Sequence, residues 1–471
     1  MSSQIVIVVK NIYSQLLAPK DLILEVREGL KFEDLGSPTG YSYVMHQNGK
    51  FPSGLLCRVV HLLGDTPHTI DDQTGDPSYP PVPTSIPLFN YQARAVRDIL
   101  ELGWRRGCYK APPRSGKTRV AAAIIDSLPK YRPALFLVDK KELVQQSVEA
   151  LEEVLGYKVG ALGGGYTCSP SQDLRQPGVL VATVQTLNSR LMEWGEWLSK
   201  VKLCICDEVH HFQAPTNVKL LHYLQTVWRV YGLSGTPYTN NGRDLVLEGA
   251  VGPVIAETSY EELIAADRLT RPVVIFEQLP STSYLPSVNW QEVYDQVIVE
   301  NPLRNFIIKD FVDWCRANDQ TCVVLVERLP HGEYLSNLLR CPFTHGSQDM
   351  GSRSRILGDL RSRKERVVVT TLYREAIDIP SLNAVVNAGA MKSPIRLYQG
   401  LRNTTASEGK LVAPVLDFMD RGDFVESWST TRRRLCKSQP EFVVETRKEY
   451  AKGYTENGFG WLNEFLQGVA R

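Results

Sequence analysis

From Leu88 onward the chain repeats one arrangement, in which short runs of apolar, often β-branched residues alternate with longer stretches of helical spacing. ALFLVD, GVLVAT, KLCICDE and VYGLSGT form a first set of runs. TCVVLVE (321–327), RVVVTTL (366–372), AVVNAG (384–389) and KLVAPVLDF (410–418) form a second, after a stretch ending in DRLTRPVVIF. Runs that are apolar at nearly every position fit strands buried on both faces, the condition of a parallel sheet covered by helices. The pattern predicts two doubly wound α/β domains in tandem. No apolar run approaches the roughly 20 residues needed to span a bilayer.

A chain of 471 residues suggests about three domains at ~150 residues each. Ahead of the repeated pattern lie IVIVV (5–9), the amphipathic DLILEVREGLKFEDL, and YSYVMHQNGKFPSGLL with Asn48-Gly49 at a hairpin-like turn. DDQTGDPSYPPVPTSIP (71–87) has the Pro, Gly and acidic content of a linker. The expected organisation is a small α+β accessory domain (1–80), two α/β domains (81–255 and 256–420) and a helical C-terminal extension (421–471). The start, MSSQIVIVVKNIYSQ, lacks the segments of a secretory signal, so a cytoplasmic location is expected, the host cytoplasm if the chain is phage-encoded.

LCICDEVHHF (203–212) crowds two cysteines, an aspartate, a glutamate and two histidines together. In a strand Cys204 and Cys206 face one way while Ile205 and Asp207 face the other, so one metal would need ligands from both faces. The nine cysteines include no CxxC, so they read as small apolar core residues in a reducing compartment. Asp207 and Glu208 instead sit where a parallel strand reaches its C-terminal edge, the ligand-binding edge of such sheets. His210 and His211 read either as polar loop residues or, for His210, as a link to a neighbouring element.

APPRSGKT (111–118) follows the short run GCYKA and precedes RVAAAIIDSL, a good helix. That order suits a phosphate cradle, because N–H groups at a helix N-terminus point at the anion. Lys117 would reach the β and γ phosphates, and the Thr118 hydroxyl would hold Mg²⁺. Asp207 would support the Mg²⁺ and Glu208 would polarise the attacking water. Ala111 stands where the general pattern has its first Gly, and Arg114 where Gly is frequent.

Taken in order, AxxxxGKT, DEVH and LSGTP (233–237) resemble motifs I, II and III of superfamily 2 DExH-box helicases. THGS (344–347) resembles the loop after motif IV, TTLYREAIDIP (370–380) motif V, and SPIRLYQGLR (393–402) motif VI; LFNYQARAV (88–96) is similar to the Gln motif. The YQ, DEVHH, GLSGTP and SPIRLxQ signatures are most similar to DNA helicases that include the phage UvsW-like branch-migration enzymes and, more distantly, the XPB and RecG groups. The N-terminal NGKFPSGLL module looks like the accessory domain that phage enzymes place before the motor.

The resemblance implies RecA-like domains, ATP and Mg²⁺ as cofactors, and DNA, single-stranded and branched, as partner of a monomer. It makes Gln92 the adenine reader with Phe89 stacking on the base, and Pro113, Arg114, Ser115, Gly116, Lys117 and Thr118 the phosphate loop. Arg402 would be the arginine finger, supplemented by Arg396 or Arg374, because motif VI here carries a single Arg after Gln399. Asp378 matches motif V, with Ala376 where Gly is commoner. Ser234, Thr236 and His210 would couple hydrolysis to closure. Lys140, Lys141, Thr183, Gln185, His345 and Thr371 would touch the strand, mostly at phosphates.

Lys plus Arg number 53 against 52 Asp plus Glu, so a polyanion must be met by local patches. SRSRILGDLRSRKER (352–366) and TTRRRLCK (430–437) are solvated faces or DNA contacts. Trp104, Trp194, Trp228 and Trp314 read as core packing ahead of stacking platforms. The function expected is an ATP-dependent DNA helicase or translocase acting on forked and junction DNA in recombination, repair or replication. An RNA helicase and the motor subunit of a restriction system are the rival readings.

Overall fold

The computed structural model describes residues 4–34, 36–112, 114–168, 178–213, 215–238, 243–280, 289–372, 379, 382–390, 412–438, 442–447 and 459–470. The chain divides into two compact units, Met1–Ser259 and Tyr260–Arg471. Among the described residues no helix is long and apolar enough to cross a membrane.

The first unit begins with an α+β module whose strands are β1 (Ile5–Val9), β2 (Tyr13–Leu17), β3 (Lys31–Glu33), β4 (Tyr41–Tyr43), β5 (Lys50–Pro52) and β6 (His68–Asp72). One sheet runs β5-β2-β1-β6, while β3 and β4 form a separate ribbon. The Asn48-Gly49 turn forms, with Gly49 at φ +82° and the His46 N–H bonded to Lys50 O at 2.8 Å. Its flanking strands do not make the expected hairpin. β5 pairs instead with β2, which draws Phe51 fully into the module core beside Leu16 and Leu55.

The segment expected as a linker is likewise not a free tether. It starts inside β6 and then lies along the parallel-sheet domain. Asp72 and Asp76 pair with Arg105 at 2.6 and 3.3 Å, Thr84 donates to Asp126 at 2.7 Å, and the Val82 N–H donates to Ser127 O at 2.9 Å. Proline fixes φ and removes a donor, but it leaves the neighbouring polar groups free to dock. The module is also joined directly to the helix Asp244–Val251: Arg58 Nε lies 2.6 Å from Glu248 Oε1, and a Cβ on Gly54 would sit 2.1 Å from Glu248 O.

Next come β7 (Arg106–Lys110), β8 (Ala134–Val138), β9 (Gly160–Leu162), β10 (Val179–Thr183), β11 (Leu203–Asp207), β12 (Arg229–Ser234) and β13 (Val254–Glu257). They form an all-parallel sheet in the order β13-β7-β12-β11-β8-β10-β9. Successive side chains enter two different cores. Leu135, Leu137, Leu180, Ala182, Cys204 and Cys206 face one, and Ala134, Phe136, Val138, Val179, Val181, Leu203 and Ile205 face the other. Both faces are therefore apolar, which is why these runs show no alternation.

The second unit repeats the design with β14 (Arg271–Gln278), β15 (Cys322–Leu325), β16 (Phe343–Thr344), β17 (Val367–Thr370), β18 (Ala384–Asn387), β19 (Val412–Met419) and β20 (Val443–Arg447). All pairs are parallel, in the order β16-β17-β15-β18-β19-β14-β20. The two seven-stranded sheets make these domains RecA-like. The C-terminal segment is not purely helical as expected: between the helices Asp423–Lys437 and Trp461–Ala470 it adds β20 to the sheet edge beside β14. The charged TTRRRLCK run masked that role. Its Arg432 is wholly buried, bonding Asp417 Oδ1 and Oδ2 at 3.0 Å and Asp420 Oδ2 at 3.3 Å, so this arginine is an anchor, while Arg434 and Lys437 of the same run stay exposed.

Candidate functional site

The loop after β7 and the helix Lys117–Ser127 place the glycine-rich segment at the C-terminal edge of the first sheet. Arg114 and Gly116 take left-handed φ values of +64° and +75°, which turn the chain into the helix. Gly116 is required twice over, since a Cβ there would also lie 2.4 Å from Gln92 Nε2. Strain of this kind in a short loop gathers where a ligand must meet backbone.

Lys117 is buried, and its Nζ lies 3.4 Å from Ala111 O and 3.4 Å from Glu208 Oε1. Glu208 and Asp207 end β11, two strands from β7, with β12 between. Glu208 holds a left-handed φ of +45°, which turns its carboxylate back toward Lys117. Its other oxygen lies 3.4 Å from His210 Nδ1, and that nitrogen lies 2.9 Å from Ser234 Oγ at the end of β12. Ser234 Oγ in turn accepts the Thr236 N–H at 3.1 Å. Lys117, Glu208, His210, Ser234 and Thr236 thus form one connected chain across three strands.

Burial, then the Glu208 charge, pushes the Asp207 carboxyl up to about 6. A nearby cation favours the ionised form of such a carboxyl. Burial and His211 lower His210, favouring a neutral ring that can accept or donate one hydrogen bond. The Ser115 hydroxyl is buried without a partner, inside a loop opening onto a helix N-terminus. An anion carried with a cation suits this set: Lys117 and the helix start for the phosphates, Thr118 and Asp207 for the metal. Among the described residues no cluster of His, Cys, Asp or Glu could hold a metal by itself. Cys204 and Cys206 are core residues with sulfurs 3.9 Å apart, as strand alternation requires.

Gln92 is buried and doubly engaged, accepting the Phe89 N–H at 3.0 Å and donating to Ser115 O at 2.9 Å. It ties the helix Asn90–Glu101 to the phosphate loop, a contact its residue type does not announce. Phe89 is exposed and stacks parallel to Tyr91 at 5.8 Å.

Lys140 and Lys141 follow β8 and are exposed; Gln185, also exposed, follows β10 on the same sheet edge. Thr183 needs correction. It is fully buried, and its hydroxyl caps the helix Val184–Ser189 by accepting the Thr186 N–H at 3.2 Å, so it orients the edge and does not present itself to a strand. Gly163, Gly164 and Gly165, a GGG run to which the sequence alone assigned no role, follow β9 on this edge with φ of +102°, +62° and +91°. In the second unit His345 and Thr371 follow the neighbouring strands β16 and β17 at their C-terminal ends. Pro113, Asp378, Arg402, Arg374 and Arg396 lie outside the described residues.

Residues 85–239 match the family model described as Type III restriction enzyme, res subunit. The DNA 3'-5' translocase XPB2 of Sulfurisphaera tokodaii is 31% identical over 185 residues, 39% of either chain. The helicase domain of Hef from Pyrococcus furiosus superposes with a TM-score of 0.51 at 17% identity, over 74% of this chain and 98% of that one. UvsW of phage T4 aligns over 94% and 99% of the two chains at 17% identity and a TM-score of 0.45. The chain spans about half the length of the curated relatives it matches, from 39% to 57% of the first four.

Proposed function

We propose that this chain, which belongs to the superfamily 2 helicases, is an ATP-driven DNA motor that separates or branch-migrates strands at forks and junctions. The observation that carries the proposal is the continuous link from Lys117 through Glu208 and His210 to Ser234. One end of that link is phosphate chemistry; the other is a loop that can respond to it.

Lys117 exchanges its contacts with Ala111 and Glu208 for the phosphates of ATP. Thr118 and Asp207 would hold a Mg²⁺ ion, which supplies positive charge to those phosphates when bound. Freed of Lys117, Glu208 orients the attacking water and takes its proton. His210 senses that change through Glu208 and passes it to Ser234 and Thr236. Arg402 is the proposed finger for charge on the transferring phosphoryl group. Lys140, Lys141, Gln185, Gly163–Gly165, His345 and Thr371 are the proposed strand contacts, made mainly to phosphates and so tolerant of sequence.

Similarity to a DNA translocase supports DNA as the track. The proposed role of the N-terminal module is to grip duplex or junction DNA. Cations stacked on its tyrosines support this, with Arg27 3.4 Å from the Tyr43 ring centre and Lys50 4.6 Å from that of Tyr13. The matched model, described as the res subunit of a type III restriction enzyme, favours a second reading, the DNA-translocating motor subunit of a restriction system. ATP turnover and strand separation measured in parallel on linear duplex and forked DNA distinguish the two. Turnover on linear duplex with no strand separation on forks would favour the second.

A further inference from the structure

At the end of the first sheet opposite the phosphate loop, an open cavity of about 460 Å³ is lined by the N-terminal module, the 73–89 segment and the residues that start β7, β12 and β13. Its volume falls within the ~300–1,000 Å³ usual for small-ligand sites. Three rings line it, Tyr79, Trp104 and Trp228, of which Tyr79 is 36% exposed and the two indoles are half-buried. Tyr79 and Trp228 each meet the Tyr131 ring edge-on, at 6.1 and 5.8 Å. That packing holds their faces in place.

Basic side chains gather around these rings, some of them already engaged. Lys10, Arg105, Arg106 and Arg229 line the cavity and no acidic residue does, but Asp72 and Asp76 pair with Arg105, Asp76 also with Arg229, and Arg106 bonds the carbonyls of Ala250 and Asn11, which leaves Lys10 as the lining cation best placed to meet a ligand. Just outside, Lys202 sits 4.3 Å from the Trp228 ring centre and Lys130 4.6 Å from that of Tyr79. Aromatic faces interleaved with cations are the composition that binds unpaired nucleotides, the rings stacking on bases and the cations meeting phosphates.

We infer that this cavity is a second nucleic-acid subsite, which takes one unpaired nucleotide from an arm of a branched substrate at the junction of module and motor. The inference rests on the proposed DNA motor and adds to it a contact remote from the ATP edge. It gives the fixed attachment of the module a purpose, because a base held there bears on module and motor at once. The ligand chemistry is an anionic nucleotide, strand-borne or free.

The test uses the full chain and forked DNA carrying 4-thiothymidine at successive positions of one unpaired arm, with cross-links mapped by mass spectrometry. One register is expected to cross-link to Tyr79, Trp104, Trp228 or the adjoining exposed Leu102. The yield should fall several-fold in Trp228→Leu and in the surface variant Lys202→Glu. Displacement by excess dTMP would identify the site as one that also takes the free nucleotide; undiminished yield would assign it to the strand alone. Cross-links confined to the edge of Lys140 and Gln185, or a cavity yield unchanged in both variants, would overturn the inference. ATP turnover with and without DNA in the same samples separates this from failure of the motor reading, which would show as absent stimulation while the cavity cross-link persists.

Discussion

The Lys117 ammonium and the Glu208 carboxylate lie 3.4 Å apart, so the group that should bind phosphate is paired with the group that should activate water. Neither can serve ATP until the other releases it. Lys117→Ala is expected to lower steady-state ATP turnover by roughly two orders of magnitude or more, the scale seen when one preorganised charge-stabilising group is removed. Glu208→Gln should do the same while retaining nucleotide binding. Turnover unchanged in Lys117→Ala would mean the site is misassigned.

Ser234 Oγ receives both the His210 ring and the Thr236 N–H. Ser234→Ala removes the hydroxyl that joins those two while leaving Lys117, Asp207 and Glu208 in place. Hydrolysis without DNA should stay within about threefold, and unwinding per ATP consumed should fall roughly tenfold, within the ~5–150-fold range typical of coupling between sites. Parallel loss of both activities would place Ser234 in the chemistry itself.

Much of the fold was legible because parallel strands buried on both faces must be apolar nearly throughout, and ALFLV, VLVA and LCIC are. The order of Lys117, Asp207 and Ser234 was legible too, since each ends or follows such a run. What escaped the sequence depends on contacts distant in the chain. Thr183 looks like a surface hydroxyl until the helix it caps is seen. The 71–87 segment looks like a tether until Arg105 and Asp126 are found to hold it, and Arg432 looks solvated until Asp417 and Asp420 enclose it. Of the four tryptophans, Trp194 and Trp314 are core as expected and Trp228 packs against the core from its edge, whereas Trp104 and Trp228 also line a cavity to which the N-terminal module contributes.

Gly54 abuts the helix that carries Glu248 so closely that a Cβ would lie 2.1 Å from a carbonyl oxygen. Gly54→Val should force the module off this helix, at a cost of ~1–3 kcal/mol, the range for overpacking. Limited proteolysis should then cut within 73–89 at low protease, where the parent chain resists. Arg58→Ala should have a smaller effect, because that side chain is 52% exposed.

Glu277 in β14 is wholly buried with neither carboxylate oxygen hydrogen-bonded, and burial raises it to about 7 despite Arg447 at 3.6 Å. Burial outweighs the partner here because the guanidinium is itself partly open to water. A carboxyl raised in the folded state binds its proton more tightly there than in the unfolded chain. Its favourable contribution is therefore fully present below about 4.5 and is lost as pH rises through about 7, amounting to ~3 kcal/mol. In urea unfolding, Glu277→Gln should gain stability relative to the parent at pH 8 and show little gain at pH 5. A constant difference across that range would place the titration elsewhere.

The most direct measurement is ATP-dependent strand separation by the full chain on linear, forked and four-way-junction DNA, alongside matched RNA, with Lys117→Ala as the control. The expected result is separation or branch migration of forks and junctions that needs ATP, exceeds activity on linear duplex and RNA, and disappears in Lys117→Ala. Preference for RNA, or activity on forks that survives the Lys117 substitution, would contradict the account.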